Sequence, residues 1–118
     1  MRLTEILQIL QQLKITDYEI TDQGINVFGD VRIPDYYTEI PVQFNIVSGN
    51  FYCSYTNITS LEGSPREVGG DFYCNGTKIT SLQGAPREVG GNFYCLNTNI
   101  KSKPDITGIN IGGELIWK

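Results

Sequence analysis

The tripeptide Phe-Tyr-Cys occurs three times, at Phe51-Tyr52-Cys53, Phe72-Tyr73-Cys74 and Phe93-Tyr94-Cys95, each 21 residues after the last. A fixed period of that length marks a solenoid, in which each repeat is one coil stacked on its neighbours. The match runs well past the tripeptide: Thr59-Ser60-Leu61-Glu62-Gly63-Ser64-Pro65-Arg66-Glu67-Val68-Gly69-Gly70 is answered by Thr80-Ser81-Leu82-Gln83-Gly84-Ala85-Pro86-Arg87-Glu88-Val89-Gly90-Gly91. Phe51, Cys53, Thr56, Ile58 and Leu61, then Phe72, Cys74, Thr77, Ile79 and Leu82, follow leucine-rich-repeat spacing, with Thr where that repeat carries Asn. Weaker copies flank these. Gly29-Asp30-Val31-Arg32-Ile33 precedes the first by 20 residues and Gly113-Glu114-Leu115-Ile116-Trp117 follows the third by 22, which predicts five strands. The third rung places Lys103-Pro104 where its siblings have Leu61-Glu62 and Leu82-Gln83, so its return path should differ.

The expected fold is therefore α+β: a leucine-rich-repeat-like solenoid over residues 29–118 with a parallel sheet of about five rungs, in one compact domain with its cap. The cap, residues 1–28, has another period. Leu3, Ile6, Leu7, Leu10 and Leu13 recur at helical spacing over Leu3 to Lys14, with Thr4 as a candidate N-cap. Alternation in Tyr18-Glu19-Ile20 and Ile25-Asn26-Val27 around Asp22-Gln23-Gly24 reads as a hairpin or two consecutive strands. Within each rung, alternate residues face opposite ways, so Phe72 and Cys74 point inward while Asp71, Tyr73 and Asn75 point out. Gly63-Ser64-Pro65, Val68-Gly69-Gly70 and their counterparts supply turns, and the return side is extended or a single helical turn. At the far end Leu115 and Trp117 face inward. Ile116, between Glu114 and Lys118, lies on an edge strand open to a second chain, which gives a homodimer through the C-terminal edge as one expectation.

Composition narrows the chemistry. The chain of 118 residues has no histidine, the side chain most used for acid/base work near neutral pH and as a metal ligand, and no nucleophile motif stands in for it. No catalytic, metal-binding or cofactor residue is assigned, and the protein is read as non-enzymatic. A net charge of −4 disfavours nucleic acid and anionic membranes as partners. No apolar run long enough to span a bilayer and no signal-peptide pattern is visible, so a soluble intracellular protein is expected. The three cysteines occupy one inward position on successive rungs and form a line, which suits a buried thiol ladder better than a metal tetrahedron. Asp30, Asp71 and Glu114, interrupted by Asn50 and Asn92, read as a solvated acidic rim and not as paired catalytic carboxylates.

The outward row Arg32, Tyr52, Tyr73, Tyr94 and Ile116 is the most informative feature. Its plainer account is the high β-propensity of Tyr and the stability of cross-rung aromatic pairs. The functional account is that Tyr and Arg concentrate in interface hot spots. Tyr55, Asn75 and Leu96 lie beside the row, so the candidate partner-binding set is Arg32, Tyr52, Tyr55, Tyr73, Asn75, Tyr94, Leu96 and Ile116.

Residues 59 to 74, with the lead-in from Tyr18 to Phe28, Gly29-Asp30-Val31 and Ile40-Pro41, resemble the small leucine-rich-repeat proteins encoded by tailed bacteriophages. The resemblance covers about four fifths of the chain. It implies a solenoid with a binding role and a viral origin, and supplies no catalytic motif to carry over. The functional expectation is a phage protein in the host cytoplasm that binds and inhibits a host protein, such as a defence protein. A phage structural or homo-oligomeric role is the alternative.

Overall fold

Parallel pairing follows from the period, because a chain that returns to the same place every 21 residues lays like residues over like. The computed structural model describes residues 1–117 and shows a β-solenoid of about four turns with a helical cap. The front sheet contains β3 (Val31–Arg32), β5 (Phe51–Tyr52), β7 (Phe72–Tyr73), β9 (Phe93–Tyr94) and β11 (Leu115–Ile116), stacked in that order. All pairs are parallel, in the registers Val31↔Phe51↔Phe72↔Phe93↔Leu115 and Arg32↔Tyr52↔Tyr73↔Tyr94↔Ile116. The five expected rungs are present.

The return side is extended and forms a second sheet. It runs from β1 (Tyr18–Thr21) and β2 (Gly24–Val27) through β4 (Phe44–Val47), β6 (Glu67–Val68) and β8 (Glu88–Val89) to β10 (Asn110–Ile111). Val68 and Val89 thus belong to strands and not to the turns in which the sequence placed them; each is buried between the sheets. The hairpin β1–β2 is antiparallel, and β2 then pairs in parallel with β4, so the cap is continuous with the back sheet.

Between the sheets the core is a set of ladders. Phe51 and Phe72 stack with ring centroids 5.4 Å apart, Phe72 and Phe93 lie 4.9 Å apart, and Phe44 from the back sheet meets Phe51 edge-on at 5.5 Å. The four phenylalanines, the three cysteines, Ile58, Ile79 and Leu61 are fully buried. Each buried aromatic or aliphatic side chain contributes roughly 1.5–3 kcal/mol of transfer free energy. Thr56 and Thr77 are buried with their hydroxyls satisfied, donating to the carbonyls of Cys53 and Cys74 at 2.8 Å.

The cap helix α1 (Leu3–Gln12) starts at Leu3 as expected and ends two residues before Lys14, but its N-cap is not Thr4. Glu5 and Ile6 N–H groups both reach the Arg2 carbonyl, which makes Arg2 the N-cap and places Thr4 inside the helix. Its core-facing stripe is partly buried Ile6 and Ile9 with buried Leu10, followed by buried Leu13 at the C-cap; Leu3 and Leu7, expected on that face, are exposed. Lys14, at φ 61°, turns the chain out of the helix. At the other end Leu115 and Trp117 pack partly buried against the core, while Lys118, expected beside the edge, lies outside the described residues.

The thiols give a direct check on this phase. Burial pushes the Cys53 and Cys74 thiols up from their ordinary value, which lowers the thiolate fraction available to an electrophile. Native protein should leave all three cysteines unlabelled by a bulky maleimide, and denatured protein should take up three labels. Rapid native labelling of Cys74 would refute the burial of this ladder.

Candidate functional site

The outward row of the front sheet is a continuous aromatic stack. Tyr52 and Tyr73 rings lie 4.8 Å apart and 9° from parallel, and Tyr73 and Tyr94 lie 4.7 Å apart and 4° from parallel. The Arg32 guanidinium closes one end, 4.1 Å above the Tyr52 ring centroid, a cation–π contact. Ile116 continues the row beyond Tyr94. The ring faces within the stack are therefore spent on one another, and ring edges and hydroxyls are what the stack offers outward.

Those hydroxyls are held by a second ladder that sequence reasoning took for a plain acidic rim. Asp30, Asn50, Asp71 and Asn92 each use Oδ1 to accept the backbone N–H of the next rung's equivalent residue: Asn50, Asp71, Asn92 and Glu114, at 2.7–2.9 Å. The remaining side-chain atom turns to the tyrosine two residues on. Asn50 Nδ2 donates to the Tyr52 hydroxyl, the Tyr73 hydroxyl donates to Asp71 Oδ2, and Asn92 Nδ2 donates to the Tyr94 hydroxyl, each at 3.0 Å. Because Oδ1 is committed to an N–H, each Asn amide orientation is fixed by the network. Tyr52 and Tyr94 thereby keep an O–H to donate outward, and Tyr73 keeps an acceptor. The signal was present in the sequence as an Asp or Asn immediately before each Phe-Tyr-Cys.

Beside the stack, a third short ladder runs from Ser54 Oγ, which accepts the Asn75 N–H at 3.1 Å, to Asn75 Oδ1, which accepts the Leu96 N–H at 2.7 Å. Asn75 thus spends its carbonyl oxygen on the fold. The next position turns left-handed in each of the three Phe-Tyr-Cys rungs: Tyr55 at φ 59°, Gly76 at φ 69° and Asn97 at φ 56°. Gly76 has no Cβ to meet the Tyr55 ring, which lies over it, and Tyr55 stays 71% exposed.

Five of the eight candidate residues converge on one surface groove. Arg32, Tyr52, Tyr55, Tyr73 and Asn75 line a depression of about 420 Å³ together with Ile33, Pro34, Asp35 and Ser54. Tyr94, Leu96 and Ile116 lie outside it, farther along the same sheet face. Pro34 and Asp35 were not expected at the site; they come from the segment 33–43 that links the first front strand to β4. Tyr37 anchors that segment by donating its hydroxyl to Gln12 Oε1 of the cap helix at 2.6 Å. Among the described residues, no group of three or more His, Cys, Asp or Glu is placed to hold a metal ion, and no helix is long and apolar enough to cross a membrane. No family model, curated protein or solved structure matches the chain.

The Asp71–Tyr73 pair carries a testable electrostatic consequence. The hydrogen bond to Asp71, aided by burial and the nearby carboxylate charge, pushes the Tyr73 phenol up to about 12. A tyrosine that stays protonated longer folded than unfolded contributes stability that is complete below about pH 10 and is lost as pH rises toward 12. Asp71→Asn should leave the melting temperature nearly unchanged, because an amide in this position already serves Tyr52 and Tyr94, but should lower the Tyr73 transition seen by ultraviolet titration. Asp71→Ala removes an acceptor from the Asn92 N–H and should cost roughly 1–3 kcal/mol in denaturant unfolding.

Proposed function

We propose that this protein is a non-enzymatic interaction module that binds another protein through the tyrosine face of its front sheet. The supporting observation is the convergence of Arg32, Tyr52, Tyr55, Tyr73 and Asn75 on one groove beside a stack whose rings are already ordered. Side chains fixed before binding lose little conformational entropy when a partner covers them. Tyr and Arg are also the residues on which interface energy concentrates. Tyr55, exposed and held by a left-handed backbone, is the anchor most available to a partner's pocket. The likeness of residues 59 to 74 to small phage repeat proteins supports a viral setting, with a host protein as the target and inhibition in the host cytoplasm as the outcome.

Affinity capture from bacterial lysate, comparing wild type with two variants, tests this reading. Tyr52→Ala/Tyr73→Ala/Tyr94→Ala removes the stack. Arg32→Glu/Tyr55→Ala changes only exposed groups and leaves the three rings in place. Wild type should retain one stoichiometric host protein, and both variants should lose it while keeping the wild-type circular dichroism, with single anchors worth about 2 kcal/mol of affinity. Capture unchanged in both variants, or recovery of nothing but the protein itself, would overturn the proposal.

A further inference from the structure

A depression larger than the one at the tyrosine face lies on another surface, between the return loops. It has a volume of about 1270 Å³ and spans three successive coils. Its third coil is irregular in sequence, carrying Lys103-Pro104 in place of Leu61-Glu62 and Leu82-Gln83. Lys103 is exposed, no leucine fills the next inward position, and Leu82 is 8% exposed where Leu61 is fully buried. A turn held by Asp105, which accepts both the N–H and the hydroxyl of Thr107, takes the chain across the gap to β10.

The walls are cationic. Arg66, Arg87, Lys101 and Lys103 line the groove, four of the nine cationic side chains in a chain of net charge −4. Among the described residues Glu62 and Asp105 are the only carboxylates that line it, and none of the four cations is in an ion pair. Arg66 and Arg87 occupy equivalent positions on adjacent coils, with the Arg87 N–H on the Arg66 carbonyl at 2.9 Å, so two cationic residues enter the groove from successive coils. A groove lined by four cations and two carboxylates favours an anionic occupant.

We propose that this groove is a second interaction surface and binds an extended acidic peptide segment of a partner protein. The floor formed by Leu82, Pro86 and Ile100 suits a peptide's apolar side chains, while the four cations suit its carboxylates. Among the described residues no aromatic side chain lines the groove, so it lacks the base-stacking platform of single-stranded nucleic-acid sites. The site shares no residue with the tyrosine face and stands or falls separately from it.

The test is titration of the isotopically labelled full chain with hexaglutamate, with hexaglutamine and oligothymidylate as comparison ligands. Hexaglutamate should shift the amides of Leu82, Arg87, Lys101 and Lys103, leave those of Tyr52 and Tyr73 in place, and weaken as salt is raised. Lys101→Glu/Lys103→Glu, two exposed loop positions, should reduce the affinity roughly tenfold or more with the remaining spectrum intact. Arg66→Gln, on another coil, should weaken it by a smaller factor. Any of three results would overturn the proposal: no groove shifts with hexaglutamate, equal binding of hexaglutamine or of the charge-reversed variant, or tighter binding of oligothymidylate in the same groove.

Discussion

Backbone pairing between parallel coils governs this molecule, because it sets every residue of one rung over its counterpart in the next. Apolar residues gain from this: Phe51, Phe72 and Phe93 stack into a closed core ladder, and Tyr52, Tyr73 and Tyr94 into an outer one. Charge does not, since stacked carboxylates at rung spacing repel. The outward polar column answers this by alternating, Asp30, Asn50, Asp71, Asn92 and then Glu114. The same column closes inter-rung hydrogen bonds through Oδ1, so alternation keeps the bonding while separating the charges by two rungs.

The glycine corners belong to the same device. A Cβ on Gly70 would collide with Asn50 Oδ1, and one on Gly91 with Asp71 Oδ1. Each side-chain oxygen that accepts the next rung's N–H needs an adjacent residue without a side chain, and the sequence supplies one before every such Asp or Asn in the full repeats. The polar ladder, the glycine corner and the tyrosine hydroxyl are thus one linked arrangement. Substituting Gly91 would reach Tyr73 through Asp71.

The inward and outward phase, the five front strands, the cap and the irregular third rung were legible in the sequence because each rests on a repeat or a simple period. The back sheet was less so: Glu67-Val68 and Glu88-Val89 are two-residue strands, too short to show alternation, and their flanking glycines read as turns. Thr4 misled because a residue type suited to capping lay beside the first turn while backbone geometry chose Arg2. At the site, the tyrosine row was readable from spacing alone. Pro34 and Asp35 were not, since their residue types differ from the Ser54 and Tyr55 with which they align and gave no aromatic signal. The double duty of Asn50, Asp71 and Asn92 needed the distance between rungs, which a sequence does not carry.

Both candidate surfaces occur where the repeat is broken. A perfect solenoid presents the same group at every rung, so a partner could shift by one coil at little cost and its register would be poorly defined. Along the tyrosine face, Arg32 takes the place of a tyrosine at one end and Ile116 at the other, and segment 33–43 raises one wall of a groove at the first coils only. On the return side, Lys103-Pro104 stands in the groove wall where the two regular coils carry leucine. Regular rungs supply rigidity, through ladders that hold rings and amides before any partner arrives. The irregular ones supply address, because only there does one position differ chemically from the next.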